Sequence, residues 1–462
     1  MTATHYDLLV IGSGPAGQKA AIGAAKLNKR VAIVDRRRMI GGACLHTGTI
    51  PSKTLREAIL YLSGFRQRAF YGKHYSVKER ITLKDLNFRV VRVLNRELEV
   101  VSAQLKRNEV TLLQGSARFI DPHTIEVQAD DGKITATADH FLIACGTRPA
   151  HHPEIECDGS HVFDSDQLLL QGENIPRTAI VVGAGVIGLE YACMFSALNV
   201  EVTVIDARPK ILDFVDEEMI EALSYHMRRN NVTFRLGEKV ESVDVDDRDR
   251  VVASLESGKR VSAEALLYTV GRQANTDKLN VEAAGVTPAE RGRLQVNGNF
   301  QTQVPHIYAA GDVIGFPSLA SASMEQGRLA SCHMFDVPFK HTPELFPYGI
   351  YTIPEISMVG KSEQQLTDAK VPYEVGLARF EELAKGQMLG DETGLLKLIF
   401  DPDSRKLLGV HVIGEGASEL VHIGQAVLSL GGNMDYLRDT VFNYPTLAEA
   451  YKVAALDGLN KL

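Results

Sequence analysis

The chain has 462 residues, 45% hydrophobic and 23% charged, with a formal net charge of −8, 39 glycines and 5 cysteines. That length holds two to four ordinary domains, and the cysteines are too few and too scattered for a disulfide scaffold. An acidic chain whose one tight basic run is Arg36-Arg37-Arg38 lacks the basic stripe of a nucleic-acid binder, and the glycines follow no collagen period.

The N-terminal MTATHYD enters an apolar strand without a basic region or cleavage site, so no secretion signal is expected. Free thiols without an export signal point to the cytoplasm. Residues 6–17 read YDLLVIGSGPAG, an apolar β-rich run followed by Gly-x-Gly-x-x-Gly, and VAIVD then ends at Asp35. The spacing over 80–107 predicts a long amphipathic helix with Leu86, Val90, Val93, Leu94, Leu98 and Val101 on one face. Asp130-Asp131-Gly132 marks a charged hairpin.

Residues 178–188, TAIVVGAGVIG, repeat the first motif, and VTVID ends at Asp206. Gly12 to Asp35 and Gly183 to Asp206 are each 23 residues. One Gly-rich turn is weak evidence; two, each after a strand and each followed by an acid at the same distance, read as a duplicated dinucleotide fingerprint. Residues 178–200 carry a single charged side chain, Glu190, and are long enough to span a bilayer. Their glycines behind β-branched residues read instead as a buried strand, a turn and a helix. Residues 209–231 look helical, strands run on through Val270, and Ile307–Ala309 leads as a strand into Gly311-Asp312. From Phe346 the pattern changes to strands at 394–399 and 407–413 and helices at 418–430 and 447–459.

The chemistry of the repeated motif is direct. Gly12 and Gly183 permit the tight turn, Gly14 and Gly185 let the backbone approach a pyrophosphate, and Gly17 and Gly188 allow close helix–strand packing. The helix start offers unpaired N–H groups to phosphate. Asp35 and Asp206 can accept from ribose hydroxyls. Two such folds imply two dinucleotides and electron transfer between them.

IGSGPAG, GGACLHTGTIPSK at 41–53, IACGTRP at 143–149, VVGAGVIGLE at 181–190, YTVGRQANT at 268–276 and YAAGD at 308–312 together resemble the flavoprotein family of lipoamide dehydrogenase and glutathione reductase. The resemblance covers essentially the whole chain. It implies an α/β fold with two Rossmann-like domains for FAD and NAD(P) and a C-terminal α+β dimerisation domain. The FAD domain would be 1–150 plus 278–345, the NAD(P) domain 151–277 and the interface domain 346–462, in a homodimer or larger homo-oligomer. FAD, held non-covalently, would meet Gly12, Gly14, Pro15, Ala16, Gly17, Asp35, Arg36, Gly41, Gly42, Ala43, Cys44, Thr49, Lys53, Ala117, Ala144, Cys145, Gly146, Gly311, Asp312, Leu319 and Ala320. NAD(P) would meet Gly183, Gly185, Val186, Ile187, Gly188, Glu190, Asp206, Arg208, Val270 and Gly271.

Two departures bear on activity. The disulfide reductases of this family carry a second cysteine where this chain has Thr49, and a histidine base where FNYPTLAEA has Tyr444, although Glu449 is kept. A hydroxyl forms no disulfide, and a phenol with a pKa near ~10 is a poor base at neutral pH. Thr49 and Tyr444 together resemble the soluble pyridine nucleotide transhydrogenases, Si-specific enzymes that move hydride between NADPH and NAD+ by ping-pong through FAD without a redox disulfide. Alternatives are an NAD(P)H oxidase or diaphorase, a lipoamide dehydrogenase-like reductase, and a flavin-loaded sensor without turnover.

The resemblance gives Lys53 and Glu190 a paired catalytic role near the flavin; without it Lys53 reads as a surface lysine and Glu190 as a helix residue. Cys44 would contact the flavin, or serve as a small apolar filler. Cys145, Cys157, Cys193 and Cys332 have no metal-like spacing, the 14 histidines form no metal set, and His151-His152 reads as a loop pair. Asp206 repels a 2′-phosphate while Arg208 can accept one, which suits a site serving both nucleotides. No membrane partner is expected.

Overall fold

The computed structural model describes residues 3–36, 39–72, 74–167, 175–339 and 345–462; Arg37 and Arg38 of the basic triplet lie outside them. Apolar runs build two sheets whose central strands are parallel and follow the same plan; in the first, Gly132–Ile143 also pairs antiparallel with Thr124–Ala129, and that strand with Ser116–Asp121. In the first, Thr4–Ile11 lies between Val31–Asp35 and Gly132–Ile143, with Thr111–Gln114 outermost on one side and Ile307–Ala309 pairing Gly132–Ile143. In the second, Thr178–Val182 lies between Glu201–Asp206 and Ala265–Tyr268, flanked by Val232–Leu236 and Val162–Asp164. Strands covered on both faces read as unbroken apolar runs, as Val31–Asp35 and Thr178–Val182 do.

The repeat extends into single bonds. Gly12 N–H donates to Val34 O and Gly183 N–H to Ile205 O, each at 2.8 Å. Asn28 and Asn199 both take positive φ, 59° and 65°, where the chain turns into the second strand of each unit.

Residues 178–200 divide into the strand Thr178–Val182 and the helix Val186–Ala197. Among the described residues no helix is long and apolar enough to cross a membrane. The long helix runs Leu83–Arg107, set by a capping box between Thr82 and Asp85. Leu86 and Val90 are buried, and Val93, Leu94, Leu98 and Val101 are half-buried. The expected helix at 209–231 is shorter, Glu217–Arg229. Asp216 accepts from Glu218 N–H and so starts it, while Leu212, at φ 43°, breaks any earlier helical path.

The C-terminal sheet is antiparallel, ordered Tyr348–Ile350, Ile356–Gly360, Leu407–Ile413, Leu395–Phe400 and Glu374–Arg379. Helices Ala417–Ser429 and Glu449–Leu459 follow within two residues of the expected bounds. Lys397 is buried in this sheet, and its ammonium meets Asp216, Glu218 and Glu363. Burial would lower its pKa, but the carboxylates overcome that and raise it to about 12. These three acids are close enough together to hold a metal ion, and the ammonium supplies their cation.

Candidate active site

Both Gly-rich turns place their first glycine in the left-handed region, Gly12 at φ 106° and Gly183 at 107°. A Cβ on Gly17 would stand 2.0 Å from Gly12 O, and one on Gly188 would stand 1.9 Å from Gly183 O. The third glycine is therefore required by the fold itself. The second is not: a Cβ at Gly14 or Gly185 meets nothing within 4 Å. Each leaves open space at a helix N-terminus, which is the shape a pyrophosphate needs.

The two acids differ. Asp35 Oδ2 accepts from Ser13 N–H at 2.7 Å and Ser13 Oγ at 2.5 Å, and Oδ1 accepts from Arg36 N–H at 2.7 Å. Asp206 Oδ2 accepts from the equivalent Ala184 N–H at 2.6 Å, but Arg208 also closes on it with its backbone N–H, Nε and Nη2. Burial would raise the Asp206 pKa, and the Arg208 bonds hold it below the usual carboxylate value.

A cavity of about 1020 Å³ joins the two turns. Its wall holds Gly12, Gly14, Pro15, Ala16, Asp35, Arg36, Gly42, Ala43, Cys44, Thr49, Lys53, Ala117, Ala144, Cys145, Gly146, Gly311, Asp312, Leu319 and Ala320 from the first expected set. Gly185, Val186, Ile187 and Glu190 line it from the second. Gly17, Gly183 and Gly188 stand behind this wall. Gly41 (φ 101°) supports the first turn through its N–H to Ser13 Oγ at 3.0 Å. Asp206, Arg208, Val270 and Gly271 lie away from it; Val270 is exposed.

Where the two halves meet, Lys53 Nζ lies 2.6 Å from Glu190 Oε2. Glu190 is buried on the helix Val186–Ala197, and Lys53 sits in the first turns of Thr49–Leu62. Burial raises the Cys44 thiol pKa, the Thr49 hydroxyl offsets part of that, and the Asp312 charge adds to it. Cys44 is a free cysteine. Tyr444 does not line the cavity and is 73% exposed.

The sequence patterns miss several wall residues. Tyr351, Ser418 and His422 come from the half expected to form only an interface. Tyr191 lines the wall, with its hydroxyl buried and without a partner among the described residues. Arg272 lies in the quoted VGRQANT segment, yet it was not singled out; it donates to Thr147 Oγ1 at 2.7 Å.

Residues 6–327 match the model of the pyridine nucleotide-disulphide oxidoreductase family, and residues 346–455 match that family's dimerisation domain. The chain belongs to the pyridine nucleotide-disulphide oxidoreductase family. Within it, the chain is 56% identical over 460 residues to a protein of Mycobacterium bovis (strain BCG / Pasteur 1173P2) named soluble pyridine nucleotide transhydrogenase, covering 99% of this chain and 98% of that protein. A protein of the same name from Enterobacter sp. (strain 638) is 46% identical over 462 residues, with 99% and 98% covered. Among solved structures, LpdA from Mycobacterium tuberculosis superposes with a TM-score of 0.90 at 26% identity, over 98% of this chain and 99% of that one. The HOCl-induced flavoprotein disulfide reductase RclA from Escherichia coli gives 0.87 at 25% identity, over 98% and 99%.

Proposed function

We propose that this chain is an FAD-dependent, Si-specific NAD(P)+ transhydrogenase that passes hydride from NADPH to NAD+ by ping-pong, without a redox disulfide. The observation that carries the reading is the Lys53–Glu190 pair at the junction of two phosphate cradles in one cavity, with Thr49 rather than a thiol beside Cys44. The name shared by the relatives supports it. Residues 1–150 and 278–345 would hold FAD, 151–277 would hold NAD(P), and 346–462 would pair two copies in the cytoplasm. Leu430, Val441 and Tyr444, all well exposed, suit such a pairing.

The residues fit the cofactor. The Gly12–Gly17 turn opens space at Gly14, and Asp35 Oδ1 retains acceptor capacity for a ribose hydroxyl. When bound, the flavin supplies an acceptor that takes hydride from one nicotinamide and returns it to another. The chain's own residues bind and orient. Gly185 admits the substrate pyrophosphate, and the Arg208 guanidinium offers a bidentate contact to a 2′-phosphate. The Lys53 ammonium, fixed by Glu190, would present positive charge to a flavin that gains negative charge on reduction. With Thr49 in place of a second thiol beside Cys44, the chamber has no partner there with which Cys44 would form a disulfide.

The test supplies NADPH and a thio-NAD+ analogue with shifted absorbance, with and without oxygen. Transfer to the analogue at the same rate in both, without oxygen consumption, is expected. Oxygen uptake in place of transfer would make the protein an oxidase, and NADH-dependent lipoamide reduction would make it a disulfide reductase.

A further inference from the structure

We propose that Tyr351 is a positioning residue for hydride transfer, clamping the Lys53–Glu190 pair from the C-terminal sheet so that the interface half of the chain sets the charge in the reaction chamber. The proposal rests on the transhydrogenase reading and assigns a role to a residue outside both fingerprints.

Tyr351 touches both members of the pair. Glu190 divides its oxygens, Oε2 to Lys53 Nζ at 2.6 Å and Oε1 to the Tyr351 backbone N–H at 2.9 Å. The Lys53 ammonium also lies over the Tyr351 ring, 4.9 Å from its centroid. A lysine head is compact and flexible, with a stem of several rotors, so two contacts confine it far better than one. The ring supplies the second contact through its negative face.

A second pair of contacts, one turn along the same helix, holds Tyr351 in register. Arg56, buried on Thr49–Leu62, donates from Nε to Thr352 O at 3.1 Å, and its Nη2 lies 3.6 Å from Glu355 Oε1. Glu355 in turn accepts from Ser418 Oγ at 2.5 Å and from Ser418 N–H at 3.2 Å. Lys53 and Arg56, three apart on one helix face, therefore meet the adjacent residues Tyr351 and Thr352. The loop after Tyr348–Ile350 is tied to the helix that carries Lys53, and Tyr351 is held where its ring caps the ammonium.

The ring, not the hydroxyl, carries this role, so Tyr351→Phe and Tyr351→Leu should separate. In the FAD-loaded Y351L enzyme, acetic anhydride should label Lys53 about tenfold faster than in the parent, read by mass spectrometry, since a cation–π contact of this kind is worth about that factor. The midpoint potential of the bound flavin should move to a more negative value. Flavin reduction by NADPH should slow about tenfold, with FAD content unchanged and the KM for NADPH within about twofold. Y351F should match the parent in every measurement. Tyr351→Met, also without a ring, replaces Y351L if that variant fails to hold FAD. Parental labelling and potential in the ring-less variant would overturn the proposal, as would a Y351F enzyme as impaired as Y351L. Labelling and potential need no acceptor nucleotide. Failure of the parent to pass hydride to NAD+ would therefore sink the transhydrogenase reading and leave the clamp standing.

Discussion

Arg208 closes on Asp206 through two parallel hydrogen bonds, Nε to Oδ1 at 3.0 Å and Nη2 to Oδ2 at 2.8 Å. With the backbone N–H groups of Arg208 and Ala184 also on that carboxylate, its acceptor sites are filled and its charge is neutralised where a 2′-phosphate would approach. The guanidinium is half exposed, so a phosphate can reach it from solvent while it stays on Asp206. Arg208→Met removes the bidentate partner and uncovers the anion at once. It should raise the KM for NADPH by about tenfold or more, and that for NADH by no more than about twofold. Steady-state kinetics with each nucleotide decides; equal rises would remove Arg208 from phosphate recognition.

The second and third glycines of the nucleotide turn should fail differently. Gly185 has an ordinary φ of −80° and open space where a Cβ would project, so Gly185→Ala should fold as the parent does and keep FAD. Its methyl would stand where the pyrophosphate approaches, raising the KM for both nucleotides at least about tenfold. Gly188→Ala drives a Cβ against Gly183 O and should lower stability by about 1–3 kcal/mol. Thermal unfolding set beside nucleotide KM separates the two. A G185A enzyme with parental KM values would show that no phosphate lies at that turn.

Lys53→Ala should keep FAD and slow its reduction by NADPH by about a hundredfold in stopped flow, as loss of a fixed charge at a reacting centre does. The substitution also strands the buried Glu190 carboxylate. Adding Glu190→Gln should recover unfolding temperature without recovering rate. Recovery of both would make the pair structural.

Cys44→Ser should leave transhydrogenation within about twofold of the parent. Burial raises the thiol pKa above its ordinary value, away from the thiolate that a nucleophile needs. The rate should therefore show no dependence on this group between about pH 6 and 8. Loss of turnover with FAD still bound would show that the sulfur is needed.

What the sequence made legible follows from how local each cause is. Gly12, Gly14, Gly17 and Asp35, and their repeats, are readable because turn, phosphate approach and strand end are fixed within one βαβ unit. The helix expected at 209–231 is longer than the one that forms, because the apolar spacing runs through Leu212 while the cap that starts the helix is Asp216. Tyr351 was out of reach: nothing near it in sequence says that its N–H meets a carboxylate 161 residues earlier. The spacing offers Arg208 to a phosphate, but its closure on Asp206 depends on side-chain geometry that spacing does not encode.

Acid should loosen the junction between the second parallel sheet and the C-terminal sheet before it reaches the nucleotide turns. His226, on Glu217–Arg229, bonds through Nδ1 to Thr393 Oγ1 at 3.1 Å, and its Nε2 is buried without a partner. Burial lowers its pKa to about 4, although the Asp391 charge pulls upward and Arg229 adds to the lowering. An unfolded histidine titrates near ~6.5. Between those values the unfolded chain binds a proton that the native chain refuses, so stability is full above about pH 6.5 and falls as pH drops towards 4. Burial lowers His140 and His411 as well, with the same sign. His226→Gln should unfold at a lower temperature than the parent at pH 7.5, because packing against Phe65 is lost. Its unfolding temperature should also fall less steeply from pH 6.5 to 4.5. Parallel curves for variant and parent would assign the acid sensitivity to His140 and His411 rather than to this junction.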